Sequence, residues 1–168
     1  MSNYQKNSGN KWSEVDKSDN EVNNSYRPSY AQKSRPRYSP KKSVRSFRDL
    51  DVYQRTMECA VLVQNDILPI LEKDGFRYIE NMSNCMLGIP LLIAEAHGQR
   101  FSDFNKAVMT LESAMQGCNK MVVYLDQGAA FSYNLEKSLA DDVMQRYMTV
   151  RGKMLRLLRS WQKFRNQT

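Results

Sequence analysis

The sequence predicts an all-α protein: an antiparallel up-down four-helix bundle over residues 47–168, preceded by a disordered basic tail over residues 1–46. Three observations carry this expectation. From Phe47 onward, apolar residues recur at steps of three and four in four successive stretches. No stretch alternates apolar and polar residues as a half-buried strand does. The connections between stretches are about three to eight residues long, which favours antiparallel neighbours.

The tail is rich in Ser, Asn, Lys, Arg and Tyr and holds three of the five prolines, Pro28, Pro36 and Pro40. Its few apolar residues follow no period, so it cannot bury enough surface to offset the entropy of ordering its backbone. Arg27, Lys33, Arg35, Arg37, Lys41, Lys42 and Arg45 follow one another there with no acid among them. Tyr30 and Tyr38 lie between these cations, Tyr26 stands next to the first of them, and Tyr4 lies further upstream. Two readings fit: a solubilising tail, or a nucleic-acid-binding arm whose rings stack on bases.

The first helical stretch runs from about Arg48 to Leu68 or Lys73, with Leu50, Tyr53, Met57, Ala60, Ile67 and Leu71 on one stripe. Pro69 should kink or end it, and Asp74-Gly75 closes it with a left-handed cap. The second, about Arg77 to His97, is apolar on several sides through Ile79, Met82, Met86, Leu87, Ile89, Leu92 and Ile93. That breadth predicts the most buried helix and an oligomer to cover its excess. Pro90 predicts a kink, and Gly98 an end. The third stretch has Ser102 as N-cap and Asp103 in its first turn. Phe104, Val108, Leu111, Met115, Cys118, Val122 and Leu125 form its heptad seam, and Gln127-Gly128 stops it. The fourth runs from near Asn134 to about Phe164, with Leu135, Leu139, Val143, Tyr147, Val150, Met154, Leu157, Trp161 and Phe164 on its stripe.

Charge divides the 168 residues unevenly. The net charge of +7 comes from 25 Lys and Arg against 18 Asp and Glu, and residues 1–46 supply ten of those bases and only four of the acids. The rest is nearly neutral in sum, yet after Asp142 no acid remains. Arg146, Arg151, Lys153, Arg156, Arg159, Lys163 and Arg165 follow instead. With Arg146 at zero and 100° per residue, Arg156, Arg159 and Lys163 fall at about 220–280°, opposite the apolar stripe. Arg151 lies near 140°, while Arg146, Lys153 and Arg165 flank the stripe. Cations favour a helix C-terminus through its dipole, but that effect fades within one turn and these span about five. Lacking acids to pair with, the row suits a polyphosphate such as RNA or DNA; the other reading is a solvated face of an assembled protein. The nucleic-acid candidates are thus Arg146, Arg151, Lys153, Arg156, Arg159, Lys163 and Arg165, with Arg35, Arg37, Lys41, Lys42 and Arg45 of the tail.

Other classes find little support. No apolar run approaches the roughly 20 residues a membrane span needs, and MSNYQKNSGN is too polar for a secretory signal, so a cytoplasmic location is expected. Cys59, Cys85 and Cys118 are scattered among apolar residues, as reduced buried thiols are. One histidine cannot complete a zinc site with them, and no metal or other cofactor is expected. His97 lacks a nucleophile partner and reads as a helix-end cap. Asp141-Asp142 sits where the helix dipole already favours acids. No glycine-rich phosphate loop occurs, so no catalytic residues are assigned.

Two segments carry a family resemblance. Phe47-Arg48-Asp49-Leu50-Asp51-Val52-Tyr53-Gln54-Arg55 and Ile89-Pro90-Leu91-Leu92-Ile93-Ala94-Glu95-Ala96-His97-Gly98-Gln99-Arg100 resemble the four-helix-bundle proteins encoded by ribosomal-RNA intervening sequences and the accessory variability determinant (Avd) proteins of diversity-generating retroelements. The Leu68-Pro69 step with Asp74-Gly75 resembles the Avd branch. Ala96 and Leu92 depart from the family, which often has glycine and a polar residue there, and these departures weaken the likeness to the ribosomal branch. The likeness spans about Phe47 to Phe164. It implies a homo-oligomer, a ring of five bundles, that binds nucleic acid and a reverse transcriptase and aids complementary-DNA synthesis from a template RNA without catalysing it. The alternative is a helical protein–protein interaction module that uses its charge only for solubility.

Overall fold

The computed structural model describes residues 44–166. Within them the protein is all-helical, with no strand. A short 3-10 turn, Phe47–Asp49, opens the fold inside a capping box. The Ser46 hydroxyl accepts from the Arg48 N–H, and Asp49 accepts from the Ser46 N–H at 2.9 Å. Four helical rods follow. The first is composite: α1 (Asp51–Leu62), a π-helical turn (Val63–Ile67) and α2 (Leu68–Lys73). The others are α3 (Ile79–Gln99), α4 (Phe104–Phe131) and α5 (Lys137–Arg165). Each rod packs on two neighbours: α1 on α3 and α5, and α4 likewise on α3 and α5. None of them is long and apolar enough to cross a membrane.

The first rod corrects its expected stripe. Its buried residues are Val52, Thr56, Cys59, Ala60 and Val63, then Ile67, Leu68 and Leu71, whereas Met57 is exposed and Tyr53 half-buried. The cause is the π turn, in which the Leu68 N–H reaches Val63 O, five residues back. This wider turn inserts one residue into the heptad. Counting back from Leu71 and Ile67 without it leads to Met57 and Tyr53, each one position past the buried Thr56 and Val52, and to Ala60, which stays buried beside Cys59. Thr56 enters the core because its hydroxyl donates to Val52 O and Tyr53 O within its own helix. The turn also explains why Pro69 does not end the rod. Pro69 occupies the first turn of α2, where a missing N–H costs little.

The cap at Asp74-Gly75 forms as expected. Gly75 takes φ +75°, its N–H reaches Glu72 O, and the Phe76 N–H reaches Leu71 O. Asp74 then joins two connections distant in sequence. Its carboxylate accepts from the Ser132 hydroxyl and from Asn134 Nδ2, the latter at 2.7 Å. Ser132 Oγ in turn accepts the Leu135 N–H at 3.0 Å. These two hydrogen bonds, from Ser132 first, hold the Asp74 carboxyl below its ordinary value.

Three expected helix limits shift. α3 passes through both Pro90 and Gly98 and ends at Gln99. The N-cap of α4 is Asp103, whose carboxylate accepts the Lys106 N–H at 3.0 Å; Ser102 instead donates its hydroxyl to Gln99 O. α4 also continues through Gly128 to Phe131, because Gly128 is a packing residue and not a stop. A methyl there would sit 2.9 Å from Leu71 Cδ1.

The α4 seam is the largest correction. Its buried residues are Ala107, Leu111, Ala114, Cys118, Met121, Leu125 and Gly128, an unbroken four-three heptad, with Gly117 buried beside it. This shares Leu111, Cys118 and Leu125 with the expected seam. It replaces the bulkier Phe104, Val108, Met115 and Val122 with small residues and Met121. Small side chains let α4 approach α3 closely, as the Cys85 Sγ donating to Gly117 O at 3.4 Å shows. On α5 the buried set is Ala140, Val143, Tyr147, Val150, Met154 and Leu158; Leu139, Leu157 and Trp161 are half-buried and Phe164 is exposed. α3 buries Met82, Met86, Ile89, Pro90, Ile93, Ala96 and His97, but Leu87 and Leu91 project outward, 52% and 71% exposed.

Candidate nucleic-acid interface

The buried residues of α5 lie between about 40° and 120° on the wheel used above. Arg156, Arg159 and Lys163, at 220–280°, therefore face away from the core, and all three are exposed. Arg151, on the flank, is exposed as well. None of the four makes an ion pair with another described residue. They occupy helix positions where no acid stands three or four residues away, and the acids of α5 and its cap, Glu136, Asp141 and Asp142, all lie at its other end.

The remaining α5 cations are differently placed. Arg146 Nε meets Asp142 Oδ2 at 2.8 Å, and Lys153 Nζ meets Asp51 Oδ2 at 2.5 Å. The expectation that the row lacks acidic partners therefore fails at these two positions. The Asp142–Arg146 pair has ordinary i,i+4 spacing and was open to sequence reasoning. Asp51, which also holds Arg55 Nε at 2.8 Å, lies 102 residues from Lys153, and only the packing of α1 against α5 joins them. Burial alone would raise the Asp51 carboxyl, but Lys153 and Arg55 hold it below its ordinary value. Arg165 is turned toward α4: its guanidinium carbon stands 4.7 Å from the Phe104 ring centroid, and Nη1 reaches Asn105 Oδ1 at 3.5 Å.

Arg45 is exposed, and its backbone N–H donates to Asp49 Oδ2 at 3.0 Å. Arg35, Arg37, Lys41 and Lys42 lie outside the described residues, as does the tail expected over residues 1–46 except for its last three. The structure thus brings Arg156, Arg159 and Lys163 onto one surface with Arg151 at its edge, ties Arg146 and Lys153 to acids, and directs Arg165 elsewhere.

Other reactive groups are enclosed. Cys59 and Cys118 are buried, and burial pushes their thiols up to about 11 and about 12. Tyr147 is fully buried, and its hydroxyl has no hydrogen-bond partner among the described residues. His97 is 8% exposed and its Nε2 has no hydrogen-bond partner among the described residues, so it is a buried ring in the last turn of α3 and not the helix-end cap expected; its backbone carbonyl accepts from Arg100 Nη1 at 2.5 Å. Burial, with Arg100 adding to it, pulls the imidazole below its usual value. Among the described residues no three His, Cys, Asp or Glu side chains converge as a metal site would require.

The Ile89–Arg100 segment lies within α3 and the residue after it, where it packs the helix against α4. Ile89 meets Gly117, and Gln99 links Glu95 to Thr110 through hydrogen bonds of 2.7 and 3.0 Å. No family model, curated protein or solved structure matches the chain.

Proposed function

We propose that this protein is a non-catalytic nucleic-acid-binding accessory factor, whose phosphate contacts are made by Arg151, Arg156, Arg159 and Lys163. One observation carries the reading: four exposed cations on the outward side and edge of one helix, without a described ion-pair partner. Phosphates would relieve their mutual repulsion and release condensed counterions, which needs charge but no base-specific geometry. We read the four rods as an antiparallel up-down bundle. Asp51 opening α1 meets Lys153 late in α5, and Phe104 opening α4 meets Arg165 closing α5. The narrower role, assisting a retroelement reverse transcriptase in template-RNA-directed synthesis as a cytoplasmic homo-oligomer, a ring of five, rests on the resemblance of Phe47–Arg55 and Ile89–Arg100 to Avd proteins. The outward Leu87 and Leu91 support self-association.

The test replaces Arg151, Arg156, Arg159 and Lys163 together by Gln and measures single-stranded RNA affinity against salt. Removing four contacts should lower the slope of log affinity on log salt by about 3, at about 0.7 per contact, with helicity unchanged by circular dichroism. An unaltered slope would remove this surface from the function. Co-purification from the native host then asks whether RNA and a reverse transcriptase accompany the protein. The same outward leucines support the second reading, a protein-interaction module. That reading expects the four-Gln variant to retain its protein partner and the parent to bind RNA no better than any other polyanion.

A further inference from the structure

The last turns of α5 close a cleft that phosphate contacts on its outer face do not use. It has a volume of about 720 Å3 and lies between Leu50, the α3–α4 connection and the C-terminal part of α5. That size is typical of small-molecule sites, about 300–1,000 Å3. Phe101, Phe104 and Trp161 supply much of its wall; Arg100 and Arg165 bring two guanidinium groups, and among the described residues no carboxylate lines it. Each guanidinium lies over a ring, Arg100 at 4.2 Å from the Phe101 centroid and Arg165 at 4.7 Å from that of Phe104. Neither has an ion-pair partner among the described residues. His97 also lines the cleft, more than nine-tenths buried, with Nε2 lacking a hydrogen-bond partner among the described residues.

These groups make three complementary demands. Two cations without carboxylates favour an anion, aromatic walls favour a planar ring, and a buried imidazole favours a hydrogen-bonding atom. A phosphate monoester, with about 1.5 to 2 negative charges at neutral pH, suits two guanidinium groups better than a carboxylate with one. We propose that the cleft binds an unpaired nucleotide, with its base stacked beside Trp161 and its phosphate held by Arg100 and Arg165. A free mononucleotide and the phosphorylated end of a single strand share this chemistry. The inference goes beyond the outer-face reading, since it concerns other residues and recognition of one nucleotide instead of a backbone.

Trp161 reports on the cleft directly. With Trp12→Phe it becomes the sole tryptophan of the chain. Titration with a 5′-mononucleotide should quench its emission saturably, and the nucleoside without phosphate should bind at least about tenfold more weakly. Arg100→Gln and Arg165→Gln should each weaken binding about tenfold. Arg165 is exposed, so its variant stays informative even if Arg100→Gln unfolds. Competition by a 5′-phosphorylated single strand but not its unphosphorylated counterpart supports the cleft as a strand-end site; competition by neither supports a free-nucleotide site. The four-Gln variant should still bind the mononucleotide, which keeps this result separable from the test of the outer face. Absence of saturable quenching, equal binding of nucleoside and nucleotide, or unchanged affinity in the Arg165 variant would overturn the proposal.

Discussion

Gly117 and Gly152 offer a matched pair of perturbations in which helix propensity is held constant and packing is not. Alanine in place of a helical glycine gains about 0.5–1 kcal/mol, because glycine loses more backbone freedom on folding. At Gly152 on α5 the added methyl meets nothing within 4 Å, so Gly152→Ala should be stabilising by that amount. At Gly117 the same methyl would stand 2.8 Å from Ile89 Cγ1 and 3.4 Å from its Cδ1. Ile89 is 1% exposed, and Cγ1 is not the free end of its side chain, so relief requires moving α3 against α4. Such overpacking costs about 1–3 kcal/mol. Gly117→Ala should therefore be destabilising by about 0–2.5 kcal/mol, leaving the variants about 1–3 kcal/mol apart. Gly128→Ala should fall between them, since its nearest neighbours are the terminal methyls of Leu71. Urea unfolding followed by circular dichroism reads the difference, at one protein concentration because self-association would shift the midpoint. A Gly117→Ala protein as stable as Gly152→Ala would refute the close α3–α4 approach.

Three further outcomes follow from buried and hydrogen-bonded groups. Tyr147→Phe removes a buried hydroxyl without a partner among the described residues while keeping the ring, so its free energy of unfolding in urea should be unchanged or raised, by up to about 1 kcal/mol; a loss larger than that would reveal a partner for the hydroxyl. Because the Asp74 carboxyl is held below its ordinary value when folded, its contribution is present above the usual carboxylate range and lost as pH falls through the lowered value. The gap in urea midpoint between the parent and Asp74→Ala should therefore be constant from about pH 5 to 8 and close below about pH 4; a gap unaffected by acid would argue against the two hydrogen bonds. Finally, thiols raised to about 11 and about 12 react slowly, so Cys59 and Cys118 should resist a disulfide reagent at pH 8 until the protein is unfolded, and rapid native labelling of either would contradict their burial.

The positions of the four rods were legible because large apolar residues recur at helical spacing, and the outward cations of α5 were legible because charge and wheel angle suffice to place them. The facing of each rod was less so. On α4 the expected seam followed the bulky residues, but a helix that must approach another closely buries Ala107, Ala114, Gly117 and Gly128, whose smallness carries no hydropathy signal. On the first rod one π turn displaced the phase of everything before it, and no local sequence feature other than Pro69 announces such a turn. Contacts between distant segments were illegible altogether: Asp51 with Lys153, Asp74 with Ser132, and the cleft that gathers Leu50, His97 and Trp161.

That π turn bears on how the chain tolerates changes in length. Deleting exposed Asn65 would renumber the first rod's buried positions to an unbroken four-three series, Val52, Thr56, Cys59 and Val63 followed by the present Ile67 and Leu71. An excision inside a helix would thus leave both flanking faces in register, where elsewhere it rotates all that follows by about 100°. The same excision, however, would return Pro69 to the interior of a continuous α-helix at a cost of about 3 kcal/mol. The surplus residue and the proline form a coupled pair: deletion of Asn65 combined with Pro69→Ala leaves an ordinary helix in register, while loss of the residue alone strands the proline.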